Sequence, residues 1–245
     1  MNRYSVCLFD LDGTITDSSR GITEAALYAL NKMDKRIIDK KELLKFIGPP
    51  LDYSFMNFYG MDRDDAAKAI TFYREYYGKK GVMENEIYPG IEEMLAALKS
   101  AGIKLILATS KPEVFAKQIL AQLGLERYFD AAVGGNLDGS RTKKAEVIEY
   151  AAENYILPWF KENHSTGTEL YHIENNDGNK ALTKEKIMRL CIMAGDREFD
   201  IWGAKAAKMD SIGVLYGFGN VKELTDAGAD YLVKEPMDIC RILIN

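Results

Sequence analysis

A chain of 245 residues with a net charge of −5 is long enough for one large domain, or for a core with a smaller domain attached. With 47% apolar and 28% charged residues it supports a packed core and does not read as a disordered chain. The acidic balance gives no electrostatic footing for nucleic acid or an anionic membrane, so an anionic substrate must be met by local cations or a metal.

The first predicted element is a strand over residues 4–9, closed by Asp10. Its apolar stretch Val6-Cys7-Leu8-Phe9 is too short and too early for the core of a secretory leader. Residues 18–88 hold no strand pattern but show helical spacing at 19–32, 40–46, 50–59 and 63–80, with a break at Gly48-Pro49-Pro50. Strands resume at 103–108, 130–133, 190–194, 211–215 and 230–233, with helical patterns over 90–100, 112–123 and 142–154 between them. Several of these strands are apolar without alternation, as parallel strands covered on both faces are. The order predicts an α/β fold, a doubly wound parallel sheet built from residues 1–17 and 89–245, with 18–88 as an inserted helical domain.

Residues 155–186 are polar, rich in Asn, Gly and Thr, and weakly patterned. They follow a helix that runs away from the strand ends, so they are expected at the surface away from the active site, with room for an oligomer contact. A monomer or a homodimer is expected. No run reaches the ~18 apolar residues of a membrane span, and Cys7, Cys191 and Cys240 are scattered in apolar runs, as suits a reducing cytoplasm.

In an open parallel sheet, ligands bind beyond the carboxyl ends of the strands. Asp10 and Asp12 end the first strand, Thr109 and Ser110 the second, and Asp196 and Asp200 follow the fourth, so these groups should converge on one edge. Two carboxylates two residues apart point the same way in extended chain. Such crowding requires a cation or a shared proton. Both suit phosphoryl transfer, in which one carboxylate attacks phosphorus beside a metal while its neighbour shuttles a proton.

Asp10-Leu11-Asp12-Gly13-Thr14 after an apolar strand resembles the first motif of the haloacid dehalogenase superfamily. Leu105 to Pro112, with Thr109, is similar to the second motif; Lys144 matches the third; and Gly195-Asp196-Arg197-Glu198-Phe199-Asp200 is similar to the acidic fourth. The resemblance covers nearly the whole chain except 155–186. It implies a Rossmann-like core, Asp10 as nucleophile and Asp12 as general acid/base. It also implies Mg²⁺ held by Asp10, Asp196, Asp200 and the Asp12 backbone carbonyl, with Asp200 acting through water or another ligand. Thr109, Ser110 and Lys144 would hold the phosphoryl group. Lys144 is preferred to Lys143, which reads as a solvated helix charge.

Within that family, Asp12 favours phosphate chemistry over dehalogenation, and the Gly-Asp form of the fourth motif favours hydrolysis over mutase activity. The insert at 18–88 resembles the helical cap of phosphoglycolate phosphatases, with Phe46 to Leu51 as its specificity segment, Asp17-Ser18 and Tyr88-Pro89-Gly90 as hinges, and Arg20 and Tyr53 as candidate substrate contacts. The expected activity is hydrolysis of a small phosphorylated metabolite. A 5′-nucleotidase-type phosphatase, a β-phosphoglucomutase-like enzyme and a phosphate-binding interaction protein are the alternatives. Neither His164 nor His172 lies at a strand end, which disfavours histidine-nucleophile and Ser-His-Asp chemistry. Cys191 and Arg197 have the spacing of cysteine phosphatases, but Cys191 is followed by more strand rather than by a phosphate-cradling loop.

Overall fold

The computed structural model describes residues 2–35, 37, 39–164 and 183–244. In chain order the elements are β1 (Val6–Phe9), β2 (Thr16–Asp17), α1 (Ser19–Lys32), a 3₁₀ turn (Lys40–Phe46), α2 (Leu51–Tyr59), α3 (Arg63–Tyr77), β3 (Glu86–Ile87), α4 (Ile91–Ser100), β4 (Lys104–Pro112) and α5 (Glu113–Gln122). There follow β5 (Ala131–Gly135), α6 (Lys144–Ala151), α7 (Leu157–His164), α8 (Lys184–Met188), β6 (Cys191–Gly195), α9 (Glu198–Ala206), β7 (Asp210–Val214), α10 (Val221–Ala227), β8 (Tyr231–Val233) and α11 (Pro236–Leu243).

Six strands form one parallel sheet in the order β5-β4-β1-β6-β7-β8. All six are the strands expected from the apolar runs. The reason those runs do not alternate is visible in β1 and its neighbours. Cys7 and Phe9 join Leu105, Leu107, Ile192 and Ala194 in the core on one face of the sheet, while Val6, Leu8, Ile106 and Met193 join the core on the other. Each such buried aliphatic or aromatic side chain contributes roughly 1.5–3 kcal/mol relative to exposure. β1 therefore sits at the centre of the sheet, and its carboxyl end is flanked by those of β4 and β6.

The stretch from α1 to α3 is helical, as the spacing predicts, but it is bounded by strand pairing that was not foreseen. β2 and β3 form an antiparallel ribbon, Thr16 opposite Ile87 and Asp17 opposite Glu86. Two residues per strand are too few to produce a periodic signal. Residues 40–46 form a 3₁₀ turn, and α3 ends at Tyr77.

The expectation that residues 155–186 lack pattern is corrected over its first part. The helix from Lys144 continues through a π-turn at Ala152–Ile156 into α7. Ile156 and Phe160 extend the buried stripe of Val147, Ile148 and Ala152, and the π-turn lies just ahead of Pro158, whose missing N–H interrupts the helical ladder. Ile156 and Trp159 border a cavity with Val6 and Lys104 at the amino-terminal edge of the sheet, opposite the edge where Asp10 lies. Residues 165–182, with His172, lie outside the described residues. Among the described residues no helix is long and apolar enough to cross a membrane.

Candidate active site

Asp10 leaves β1 still paired to the sheet, its N–H donating to the Ala194 carbonyl at 3.0 Å. The chain turns at Gly13, whose φ of +83° is the left-handed region that glycine enters without a side-chain penalty. The position also leaves no room: a Cβ there would stand 2.2 Å from Asp196 Oδ2. At the end of β6, Gly195 plays the same part for Asp200, since a Cβ at 195 would lie 2.1 Å from the Asp200 Cγ. Arg197 is extended and α9 begins only at Glu198, so Asp200 is not one helical turn beyond Asp196. Its carboxylate folds back instead and accepts the Arg197 N–H at 3.1 Å.

Asp10, Asp196 and Asp200 thus bring one carboxylate oxygen each to within 4.8 Å of one another, all three buried. Asp196 Oδ2 accepts the Phe218 N–H at 2.8 Å, and its Oδ1 faces the Thr14 hydroxyl at 3.5 Å. Burial, with Asp200 and Asp10 beside it, pushes the Asp196 carboxyl well above the usual carboxylate range. Burial likewise raises Asp200, to about 6, although Lys144 opposes the shift.

Lys144 is the cation of this cluster. Its Nζ lies 2.9 Å from Asp10 Oδ1 and 2.8 Å from Asp200 Oδ1, and donates to the Ala108 carbonyl at 2.9 Å. Burial works against the charge, but the two aspartates outweigh it and hold the ammonium above its ordinary pKa. Lys143, one residue earlier, is exposed.

Three buried carboxylates, two of them paired with one ammonium, form a donor set that fits a hard divalent ion such as Mg²⁺, which takes oxygen ligands and keeps several waters. The Asp12 side chain stands outside this cluster. It is bound to Lys111, whose Nζ donates to Asp12 Oδ1 at 2.7 Å and Oδ2 at 2.6 Å.

A cavity of about 180 Å³ opens over these groups. Asp10, Asp12, Thr109 and Ser110 line its floor from the sheet side, and Phe46 and Tyr73 line it from the helical insert. Thr109 is buried, its Oγ1 accepting the Lys111 N–H at 3.3 Å. Asp10, Asp12, Thr109, Ser110, Lys144, Asp196 and Asp200 are therefore gathered at one sheet edge.

Arg20 is not. Its side chain is 80% exposed and pairs with Glu84 at 3.3 Å, and it does not line the cavity. It stands at the second position of α1, on the solvent side of the turn where Gly21 and Ile22 are buried. Tyr53 is 45% exposed and meets Phe199 edge-on, away from the cavity wall. Two cationic cavity residues were missed from sequence. Arg74 of α3 donates to the Leu137 carbonyl at 2.6 Å, tying the insert to the loop after β5. Lys111 was readable: it is two residues beyond Thr109 in extended chain, so the two share a face as Asp10 and Asp12 do. Cys191 is fully buried, and burial raises its thiol, so the Cys191–Arg197 spacing carries no cysteine chemistry.

The family model described as Haloacid dehalogenase-like hydrolase matches residues 7–158, and a second hydrolase-like model of the same group matches 146–236. A curated 5′-nucleotidase of Pseudomonas aeruginosa is 39% identical over 91% of this chain and 87% of its own length. A phosphoglycolate phosphatase of Colwellia psychrerythraea is 25% identical over 94% of this chain and 93% of its own. The crystal structure of a predicted phosphatase from Clostridium acetobutylicum superposes with a TM-score of 0.82 at 43% identity, covering 97% of each chain.

Proposed function

The chain belongs to the haloacid dehalogenase-like hydrolase family, and on that premise we propose that it is a Mg²⁺-dependent phosphatase acting through an aspartyl phosphate on Asp10. The observation that carries this reading is the convergence of Asp10, Asp196 and Asp200 within 4.8 Å, with Lys144 at 2.9 Å from the nucleophile and a cavity opening over it. Bound Mg²⁺ would be held by Asp10, Asp196 and Asp200 and would cancel the repulsion between carboxylate and phosphate.

The protein's own groups do the rest. The Leu11 N–H, at 2.8 Å, and Lys144 both hold Asp10 Oδ1, which leaves Oδ2 for the attack on phosphorus. Thr109 and Ser110 receive phosphoryl oxygens at the head of α5. As the Asp10–phosphorus bond forms and the bond to the leaving group breaks, Asp12 gives its proton to the departing oxygen. It then takes a proton from the water that hydrolyses the aspartyl phosphate, which restores Asp10 and releases inorganic phosphate. We read residues 18–88 as a lid that excludes water during this cycle. Three buried, unbridged cysteines suit a reducing cytoplasm.

The substrate is a small phosphorylated metabolite. Glycolate phosphate follows from the likeness to phosphoglycolate phosphatases. A second reading, a nucleoside monophosphate, is favoured by the 39% identity to a 5′-nucleotidase and by the aromatic walls of Phe46, Tyr73, Tyr77 and Phe115. The test is phosphate release from both classes with Mg²⁺ and with EDTA. Isomerised sugar phosphate without free phosphate would instead indicate a mutase. Turnover that survives EDTA, or that survives in Asp10→Asn, would end the proposal.

A further inference from the structure

We propose that Lys111 is the residue that positions Asp12 for proton transfer, an inference that rests on the phosphatase reading above. Asp12 follows β1 and Lys111 lies near the end of β4, and these strands are hydrogen-bonded neighbours. One ammonium reaches both carboxylate oxygens, at 2.7 and 2.6 Å, and the pair is buried, with side-chain exposures of 5% for Lys111 and 12% for Asp12. A third contact fixes the ammonium itself. It stands 4.8 Å from the ring centroid of Tyr77, a residue of α3 in the helical insert, and Tyr77 is stacked on Tyr73.

The division of labour follows from which oxygens are already served. Lys144 engages Asp10 and Asp200, whereas the Lys111 ammonium makes its hydrogen bonds to Asp12. A carboxyl group that passes a proton must present one oxygen to the departing atom at hydrogen-bond range. Free rotation about its terminal torsion would scatter that oxygen. A charge-assisted contact to a buried ammonium stops the rotation: when one Asp12 oxygen carries the proton, the other keeps the ammonium, so Lys111 fixes the plane in which that proton is presented. It makes or breaks no bond to substrate.

A positioning role of this kind has a signature that loss of structure or of phosphate binding does not share. Departure of a poor leaving group needs the proton from Asp12, while a good one leaves as an anion without it. The probes are phenyl phosphate and p-nitrophenyl phosphate, nearly the same in shape and different in leaving ability, with Mg²⁺ present. kcat/KM is the quantity to compare, because it reports the steps up to transfer onto Asp10 and is blind to hydrolysis of the aspartyl phosphate.

In Lys111→Met, kcat/KM for phenyl phosphate is expected to fall about 100-fold, the lower end of what a positioned acid contributes, and that for p-nitrophenyl phosphate several-fold at most. The ratio of the two cancels the fraction of folded enzyme, so a partly unstable variant still reports. Lys111→Arg, which keeps a charge and paired N–H donors, should return the ratio toward that of the unsubstituted chain. Equal falls for both esters, or no fall for either, would overturn the assignment. Asp10→Asn separates it from its parent: loss of both esters there upholds the nucleophile whatever Lys111 does, whereas retained turnover removes both claims together.

Discussion

Lys144 shows how much a single side chain can carry in a buried site. Replacing it by Met leaves Asp10 and Asp200 buried without their cation, a loss on the order of 3–5 kcal/mol for breaking a buried ion pair. Chemical denaturation in EDTA at pH 8 should show that loss, and the same variant should be hurt less at pH 5, where Asp200 takes a proton instead. Asp200 sets the window. Its folded pKa of about 6 lies above the ordinary carboxyl value, so the folded chain holds this proton more tightly than the unfolded one. Its contribution to metal-free stability is full below the unfolded value and is lost as pH rises through about 6. Mg²⁺ needs the ionised form, so the rise in Tm that it produces should grow over the same interval. An equal Mg²⁺-induced shift at pH 5 and pH 8 would mean that these carboxyls do not meet the ion. The gathering of Asp10, Asp12, Thr109, Lys144 and Asp196 at one edge was legible from sequence because each stands in an ordered motif at a strand end or helix start. Arg20 went astray because a helix face cannot be told from composition alone, and Arg74 because its partner, the Leu137 carbonyl, is 63 residues away.

At the scale of elements, the six sheet strands were readable because burial on both faces writes an uninterrupted apolar run. β2 and β3 were not, for a pairing of two residues on each side leaves no period, and the π-turn ahead of Pro158 keeps a helix running where a proline reads as a helix break. The segment Gly48-Pro49-Pro50 was seen as a break, and the structure supplies its partner. Arg197, next to Asp196, donates from Nη1 to the Ile47 carbonyl at 2.5 Å and from Nε to Glu223 at 2.7 Å. Gly48 has a φ of +100°, and a Cβ there would lie 2.7 Å from the Arg197 Cγ. Gly48→Ala should therefore cost about 1 kcal/mol or more of stability, because alanine is strained at positive φ. It should also raise KM more than it lowers kcat, by shifting the wall of the cavity rather than the nucleophile. Urea denaturation and steady-state kinetics on the same preparation check both, and an unchanged KM would detach this turn from substrate binding.

For the whole molecule, the order of strands and helices specified the class of fold, since strands alternating with helices pack as a parallel sheet with covered faces. The strand that leads the sequence lies in the middle of the sheet, and this placement puts the first motif between the second and fourth. On the phosphatase reading, a chain with a net charge of −5 would meet a phosphate dianion with Lys144 and a bound metal at one edge, against a repulsive background. Raising ionic strength screens the distant charges more than the buried ones, so KM for a phosphorylated substrate should fall or hold steady with added salt. A steep rise would point to attraction by exposed cations instead. The β2–β3 ribbon has a consequence of its own. Both crossings between the sheet and the helical segment run side by side, Thr16 against Ile87 and Asp17 against Glu86. A two-residue Asn-Gly turn joining Asp17 directly to Glu86 would close them into an ordinary β-hairpin. The helical segment hangs from the sheet at one stitch, so its excision with such a turn should leave the six-strand register in place while baring the core that Phe46, Tyr73 and Tyr77 share with Phe9 and Leu107.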